Sequence, residues 1–270
     1  KSALIFVTAT ALLFNCTKKK EDEPTPAPVV LPPAEVKSTS YQLNPDIGFT
    51  GTVTFTEVGS TQTRVDISMN GDNVAGHPAH IHQSSAADTG AVVYPLPDVD
   101  SKGKSSKILD VPYSTLINYD GYVNVHLSAA AIGTVIAQTD IGGNVLTGAM
   151  KTYPILAETG KSVSGSVVFK ERKNGNTLAI TTLTGVSSGQ VFEAVLITGN
   201  ATTVSNALPD VILKKISGEK KVQQTNIRYL QGTTTPLQYK SIVEDGRYIK
   251  ITLVGDVTAS AKGNIGSSFK

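Results

Sequence analysis

Beyond residue 40 the chain alternates in short bursts. Thr52-Val53-Thr54-Phe55 and Val65-Asp66-Ile67-Ser68-Met69 put apolar side chains at every second position. That is the period of a strand with one face in a core and the other in water. Turn-forming pairs such as Asn70-Gly71, Gly142-Gly143 and Asn174-Gly175 punctuate these runs. No long stretch spaces its apolar residues at helical intervals, so the pattern predicts an all-β protein. Two earlier segments break the rhythm. Residues 1–15, KSALIFVTATALLFN, are a basic start followed by an apolar run too short to cross a bilayer, the layout of a signal peptide. Residues 16–40 pass from charges to Pro24, Pro26, Pro28, Pro32 and Pro33, a linker composition that favours extended polyproline conformation over packing.

The alternating region also repeats itself. Gly51-Thr-Val-Thr-Phe55 with Glu57 returns as Gly165-Ser-Val-Val-Phe169 with Glu171, and Leu96-Pro-Asp-Val99 returns as Leu208-Pro-Asp-Val211. Asp120-Gly-Tyr-Val123 recurs as Asp245-Gly-Arg-Tyr-Ile249 with one extra residue, and Ile141-Gly142 as Ile265-Gly266. Because the matches keep their order, two copies of one module are expected, 41–150 and 151–270. A module of about a hundred residues built from short alternating strands is expected to be a Greek-key β-sandwich.

Composition narrows the chemistry. With 24 Lys+Arg against 22 Asp+Glu the net charge is only +2, which argues against a nucleic-acid surface. Hydrophobic residues at 40% and charged residues at 17% are those of a folded protein. A single cysteine, Cys16, excludes both an internal disulfide framework and cysteine-based zinc sites, so any metal must be held by His and oxygen ligands. No phosphate loop, dinucleotide fingerprint or nucleophile motif is present. Lys214, Lys215, Lys220 and Lys221 make a small basic patch that reads as solvated surface.

All four histidines, His77, His80, His82 and His126, lie in the first copy. In a strand, residues i and i+2 share a face about 7 Å apart, so His80 and His82 present two imidazoles together while Ile81 turns inward. In Tyr122-Val-Asn-Val-His126 the valines form the apolar face and leave Tyr122, Asn124 and His126 on the other, which offers a third imidazole. Three neutral imidazoles with an open position suit copper, with zinc as the alternative. His77 is expected to support a ligand by a hydrogen bond to its second nitrogen. The second copy serves as an internal control. Aligned from Gly76 with Gly189, His80 and His82 stand opposite Glu193 and Val195, and His126 opposite Thr252.

Two resemblances follow from these residues. The apolar run that stops immediately before Cys16, with Leu13 three residues upstream, resembles a bacterial lipoprotein signal, although Asn15 departs from the small residue usual before the cysteine. It implies export and lipidation of Cys16, anchoring the chain to a membrane of the bacterial envelope, with the outer membrane or cell surface expected. His77-Pro-Ala-His-Ile-His82, then Gly121-Tyr-Val-Asn-Val-His126 and Gly133-Thr-Val-Ile-Ala-Gln138, resemble the CHRD (chordin-type) domain. That domain's third motif usually carries Glu, Arg and Gly where Thr134, Ile136 and Ala137 stand here. The histidine pattern is also similar to copper/zinc superoxide dismutases, which implies His80, His82 and His126 as copper ligands and His77 as a supporting residue. The family's remaining bridging histidine and paired cysteines have no counterpart.

The sequence therefore predicts two tandem immunoglobulin- or superoxide-dismutase-like sandwiches after a signal peptide and linker, the first binding a metal. The alternatives are a copper-dependent superoxide dismutase-like enzyme and a structural or adhesive surface module without metal. The resemblances imply partners in a membrane, through the lipid, and in an extracellular protein, and the balanced charge argues against nucleic acid. Replacing Cys16 by Ser is expected to move the protein from the membrane fraction to the soluble one on cell fractionation; unchanged membrane retention would refute the anchor.

Overall fold

Strand forms wherever the alternating pattern gives the chain an apolar face to bury. In Gln62–Asn70 the residues Thr63, Val65, Ile67 and Met69 point inward and are buried, while their neighbours are at least partly exposed. The computed structural model describes residues 36–45, 49–70, 76–202 and 207–270; the expected signal segment and Cys16 lie outside these residues. Val36–Lys270 forms one compact unit holding two antiparallel sheets.

The first sheet comprises β1 (Ser38–Pro45), β2 (Thr50–Val58), β3 (Gln62–Asn70), β4 (His77–Gln83), β5 (Val92–Val99), β6 (Lys104–Leu109), β7 (Gly121–His126) and β8 (Val135–Ile141). Its strand order is β5-β4-β7-β8-β1-β2-β3-β6. The join between β8 and β1 is short, Asn44 facing Gln138 and Pro45 facing Ala137, so the sheet folds over there into two four-stranded halves. Val53, Phe55, Val65 and Ile67 from one half meet Ala79, Ile81, Val123 and Val125 from the other in a single core. A one-turn helix, α1 (Tyr113–Leu116), adds Leu116 to that core.

The second sheet comprises β9 (Leu146–Ala157), β10 (Ser164–Arg172), β11 (Thr177–Thr184), β12 (Val191–Thr198), β13 (Val211–Ile212), β14 (Ile216–Ser217), β15 (Val222–Ile227), β16 (Arg247–Leu253) and β17 (Ala261–Ile265). Its path is β13-β12-β16-β17-β9-β10-β11-β15, with β14 pairing β12 beside it. Strand for strand this is the order of the first sheet, and the β17–β9 join is again two residue pairs long. A second short helix, α2 (Tyr239–Glu244), occupies the place of α1 before the seventh strand and buries Ile242. The change of sheet falls at Gly142–Val145, a few residues before position 150.

The sheets are clamped by polar groups. Arg172, at the end of β10 and with its side chain 0% exposed, donates to the Asp140 carboxylate on β8 at 2.8 Å and to the Asn144 carbonyl. A guanidinium taken out of water is tolerable only when so paired. Asn174 donates its side-chain amide to Asp120 and Asn144, and the backbone N–H groups of Lys173 and Asn174 donate to the carbonyls of Val145 and Gly143. Among the described residues no helix is long and apolar enough to cross a membrane.

Phe55 and Phe169 hold matching places, each 0% exposed on the second strand of its sheet. Replacing either by Ala should cost about 3–5 kcal/mol of stability in denaturant unfolding. A loss below about 1 kcal/mol at either site would show that the residue does not carry its core.

Candidate metal centre

The site lies on the outer face of β4 and β7. Ala79 and Ile81 on β4, and Val123 and Val125 on β7, are 0% exposed in the core, which turns His80, His82, Tyr122, Asn124 and His126 outward. Pairing sets His82 opposite Tyr122 and His80 opposite Asn124. Two irregularities adjust the aim: the β4–β5 register shifts between Ile81 and His82, and the β7–β8 register between Val125 and His126. Such bulges bend a strand and redirect the side chain beside them.

The result is convergence. Ring centroids lie 5.7 Å apart for His80–His82, 5.3 Å for His80–His126 and 6.4 Å for His82–His126. One nitrogen from each ring can be chosen so that all three lie within 4.8 Å of one another. Metal–nitrogen bonds near 2.0–2.1 Å place two ligands at most about 4.2 Å apart, a difference that small ring rotations cover. The three histidines could therefore hold a metal ion.

Most of this strand face is shielded from solvent, with His80 partly exposed. Tyr122, Asn124, His82 and His126 are all under 9% exposed; Gly90 of the segment 84–91 lies on His82 and Tyr122, and the Ile132 backbone lies beside His126. His82 stacks on Tyr122 with centroids 4.7 Å apart. Its Nδ1 donates to the Gly90 carbonyl at 2.9 Å, and the Gly90 N–H donates to the Tyr122 hydroxyl at 2.9 Å. With Nδ1 carrying the proton, Nε2 of His82 keeps its lone pair, is buried, and has no hydrogen-bond partner. Buried and likewise unpartnered are Nδ1 of His80 and both ring nitrogens of His126. Gly90 is required by space, since a Cβ there would sit 1.9 Å from the Gln83 carbonyl oxygen. Gly121 is similarly confined, 2.6 Å from the carbonyl oxygen of His82.

Electrostatics favour neutral rings. Burial holds the pKa of His80 below the ordinary imidazole value, helped by the nearby His82 and opposed by Asp98. Burial also lowers that of His126, followed by the charges His80 and His82 would carry; the neighbouring Ile132 backbone opposes this without reaching hydrogen-bond geometry. Neutral imidazole is the form that binds metal.

The remaining sequence candidates fall as follows. His77 is buried at the start of β4, outside the three-ring cluster; its Nδ1 contacts the carbonyls of Leu127 at 2.8 Å and His126 at 3.2 Å. It thus braces the backbone of His126, where the sequence suggested support of a ring nitrogen. The alignment with the second sheet needs correction. Val125 and Ile251 face Ala79 and Ala194, so His80 matches Val195 and His82 matches Ile197, two residues beyond the expected Glu193 and Val195. The segment from Gly189 to the strand is longer by that amount, which spacing from a glycine cannot show. His126 still matches Thr252, so no imidazole set arises there. Ile136, where the CHRD pattern has Arg, is 0% exposed in the core. Gly90 and the stacking role of Tyr122 carried no signal in the sequence, because both depend on how residues 84–91 fold back. Of the basic patch, Lys215 pairs with Glu193 at 3.1 Å, and Lys220 and Lys221 are exposed.

No protein-family model, curated protein or solved structure matches this chain.

Because His80 and His126 titrate below their unfolded values, the unfolded chain takes up protons first as pH falls. The part of the metal-free protein's stability that depends on these two neutral rings is therefore fully present above about pH 6.5 and is lost progressively below it. The melting temperature should drop between about pH 7.5 and pH 5, and the drop should shrink in a His80→Gln/His126→Gln variant. Equal slopes in the two proteins would contradict the buried, neutral assignment.

Proposed function

We propose that this chain is a lipid-anchored bacterial envelope protein whose first sheet binds one metal ion through His80, His82 and His126, with copper favoured and zinc the alternative. The observation that carries the reading is the set of buried, unpartnered imidazole nitrogens converging on one point, with His82 already oriented by the Gly90 carbonyl. A metal-bound imidazole ordinarily uses its second nitrogen in such a bond. Three neutral imidazoles leave a coordination position for a small ligand, and a copper ion held there supplies Lewis-acid and one-electron chemistry. The chain's own residues do the rest. His82 and Tyr122 stack to hold one ring still, the bulge at His126 aims another, and the overlying segments keep bulk water from most of the face.

The matching strand orders support reading the two sheets as copies of one Greek-key sandwich, 5-4-7-8 packed on 1-2-3-6, of which the second has lost the histidines. CHRD-like membership and export rest on the sequence motifs. A second reading, a superoxide dismutase-like enzyme, is favoured by the placement of the H-x-H pair and the third histidine on neighbouring strands of such a sandwich.

Titration of the full chain with Cu(II) and Zn(II) is expected to give one site per chain, with binding abolished in His82→Ala. His77→Ala should weaken binding by about 10- to 100-fold, as the loss of a supporting contact does. Wild-type affinity in His82→Ala would refute the assignment. Turnover of superoxide by the copper-loaded protein would select the enzyme reading over the binder.

A further inference from the structure

The segment that roofs the site, residues 84–91, is not held by the first sheet alone. At its start, the Asn144 side-chain amide donates to the Ser84 carbonyl, and Asn174 of the β10–β11 turn donates to the Asn144 side-chain oxygen at 3.2 Å. Next, the Ala86 N–H donates to Asp140 at 2.9 Å, the carboxylate that Arg172 grips. The Lys214 ammonium, from the turn between β13 and β14, then donates to the Ala87 carbonyl. Asn226 on β15 donates to the Asp88 carboxylate at 3.1 Å, which also accepts from Ser84 Oγ. Two of these four successive anchors, Lys214 and Asn226, belong to the second sheet, and the other two reach it through Asn144 and Asp140, which Asn174 and Arg172 hold. Two residues further along lies Gly90, whose carbonyl fixes His82 and whose N–H fixes Tyr122.

We infer that the histidine-free second sheet acts on the metal centre of the first: Lys214 and Asn226 are positioning residues that hold residues 84–91 so that the Gly90 carbonyl keeps His82 in its Nδ1–H tautomer. The physical reason is preorganisation. A segment already ordered before a ligand arrives loses less conformational freedom on binding, and a fixed tautomer presents Nε2 at no further cost. The backbone of this segment carries strain that outside contacts must hold, since Ser84 and Thr89 both sit at positive φ, 69° and 66°. The contacts also explain why Lys214 differs from its neighbours in the basic patch, being half-buried and turned toward the first sheet.

The affinity arm of the test rests on the metal-site reading; the tautomer arm does not. The full chain is compared with its Lys214→Met/Asn226→Leu variant, all three candidate ligands intact. In the metal-free proteins, nitrogen NMR of the His82 ring should report a fixed Nδ1–H tautomer in the wild type and a tautomer mixture in the variant. Cu(II) affinity should fall by about 10- to 100-fold in the variant. Lys214→Arg, which keeps a donor near the Ala87 carbonyl, should retain most of the wild-type affinity. An unchanged His82 tautomer together with wild-type Cu(II) affinity in the double variant would overturn the inference. If the wild type binds no Cu(II) or Zn(II), the metal reading fails while the tautomer comparison still decides this one. Should the double variant not fold, Asn226→Asp, which sets a carboxylate against Asp88 and leaves Lys214 in place, carries the same two readouts.

Discussion

Burying an imidazole nitrogen without a hydrogen-bond partner costs about 1–3 kcal/mol, and this protein does so at four ring atoms on one strand face. The arrangement around that face follows from the cost. Desolvation keeps His80 and His126 neutral, which is less expensive than burying them charged. His82 escapes half of the penalty through the Gly90 carbonyl and packs its ring on Tyr122. Polar groups so arranged are unfavourable for folding taken alone, and they become favourable when a cation shares their lone pairs. A chain selected for stability alone would fill this face as the second sheet does, with Val195 and Ile197 at the positions of His80 and His82.

That contrast makes the second sheet informative in two ways. Its strand order is that of the first, its core is equally apolar, and the topology forms without imidazoles. The histidines are therefore not there to make the fold. At the same time the second sheet is not an idle neighbour. Arg172, Asn174, Lys214 and Asn226 reach across to the segment over the histidines or to the groups that hold it, so the compact unit is built around the site's roof as much as around its two cores.

Much of the secondary structure was legible because a strand's period is local. Val53, Phe55, Val65 and Ile67 declare an inward face by their spacing, and all four are at most 1% exposed. Ile81 between two histidines, and Val123 and Val125 beside His126, fixed which side chains turn outward by the same rule. Counting forward from a glycine was less reliable. It put Glu193 and Val195 opposite His80 and His82, because the length of an irregular segment leaves no trace in periodicity, whereas strand pairing moves the match to Val195 and Ile197. In β7 the valines marked one apolar face, and the structure buries both sides of that strand.

The sequence by itself determined that the described chain is built of strands, that two similar runs of them follow one another, and that every imidazole belongs to the first. These are properties of residue order and side-chain period, so they need no knowledge of what comes near. Only the tertiary structure decided that His80, His82 and His126 meet, that Gly90 and Tyr122 orient one of them, and that Lys214 and Asn226 reach the segment above. Apart from the Gly90–His82 bond, each of those facts joins residues tens of positions or more apart in sequence, and their approach is set by strand pairing, two bulges and the folding of one sheet against the other. A hydrogen bond between such distant groups exists because the cores on either side fix where both ends stand, which no local pattern encodes.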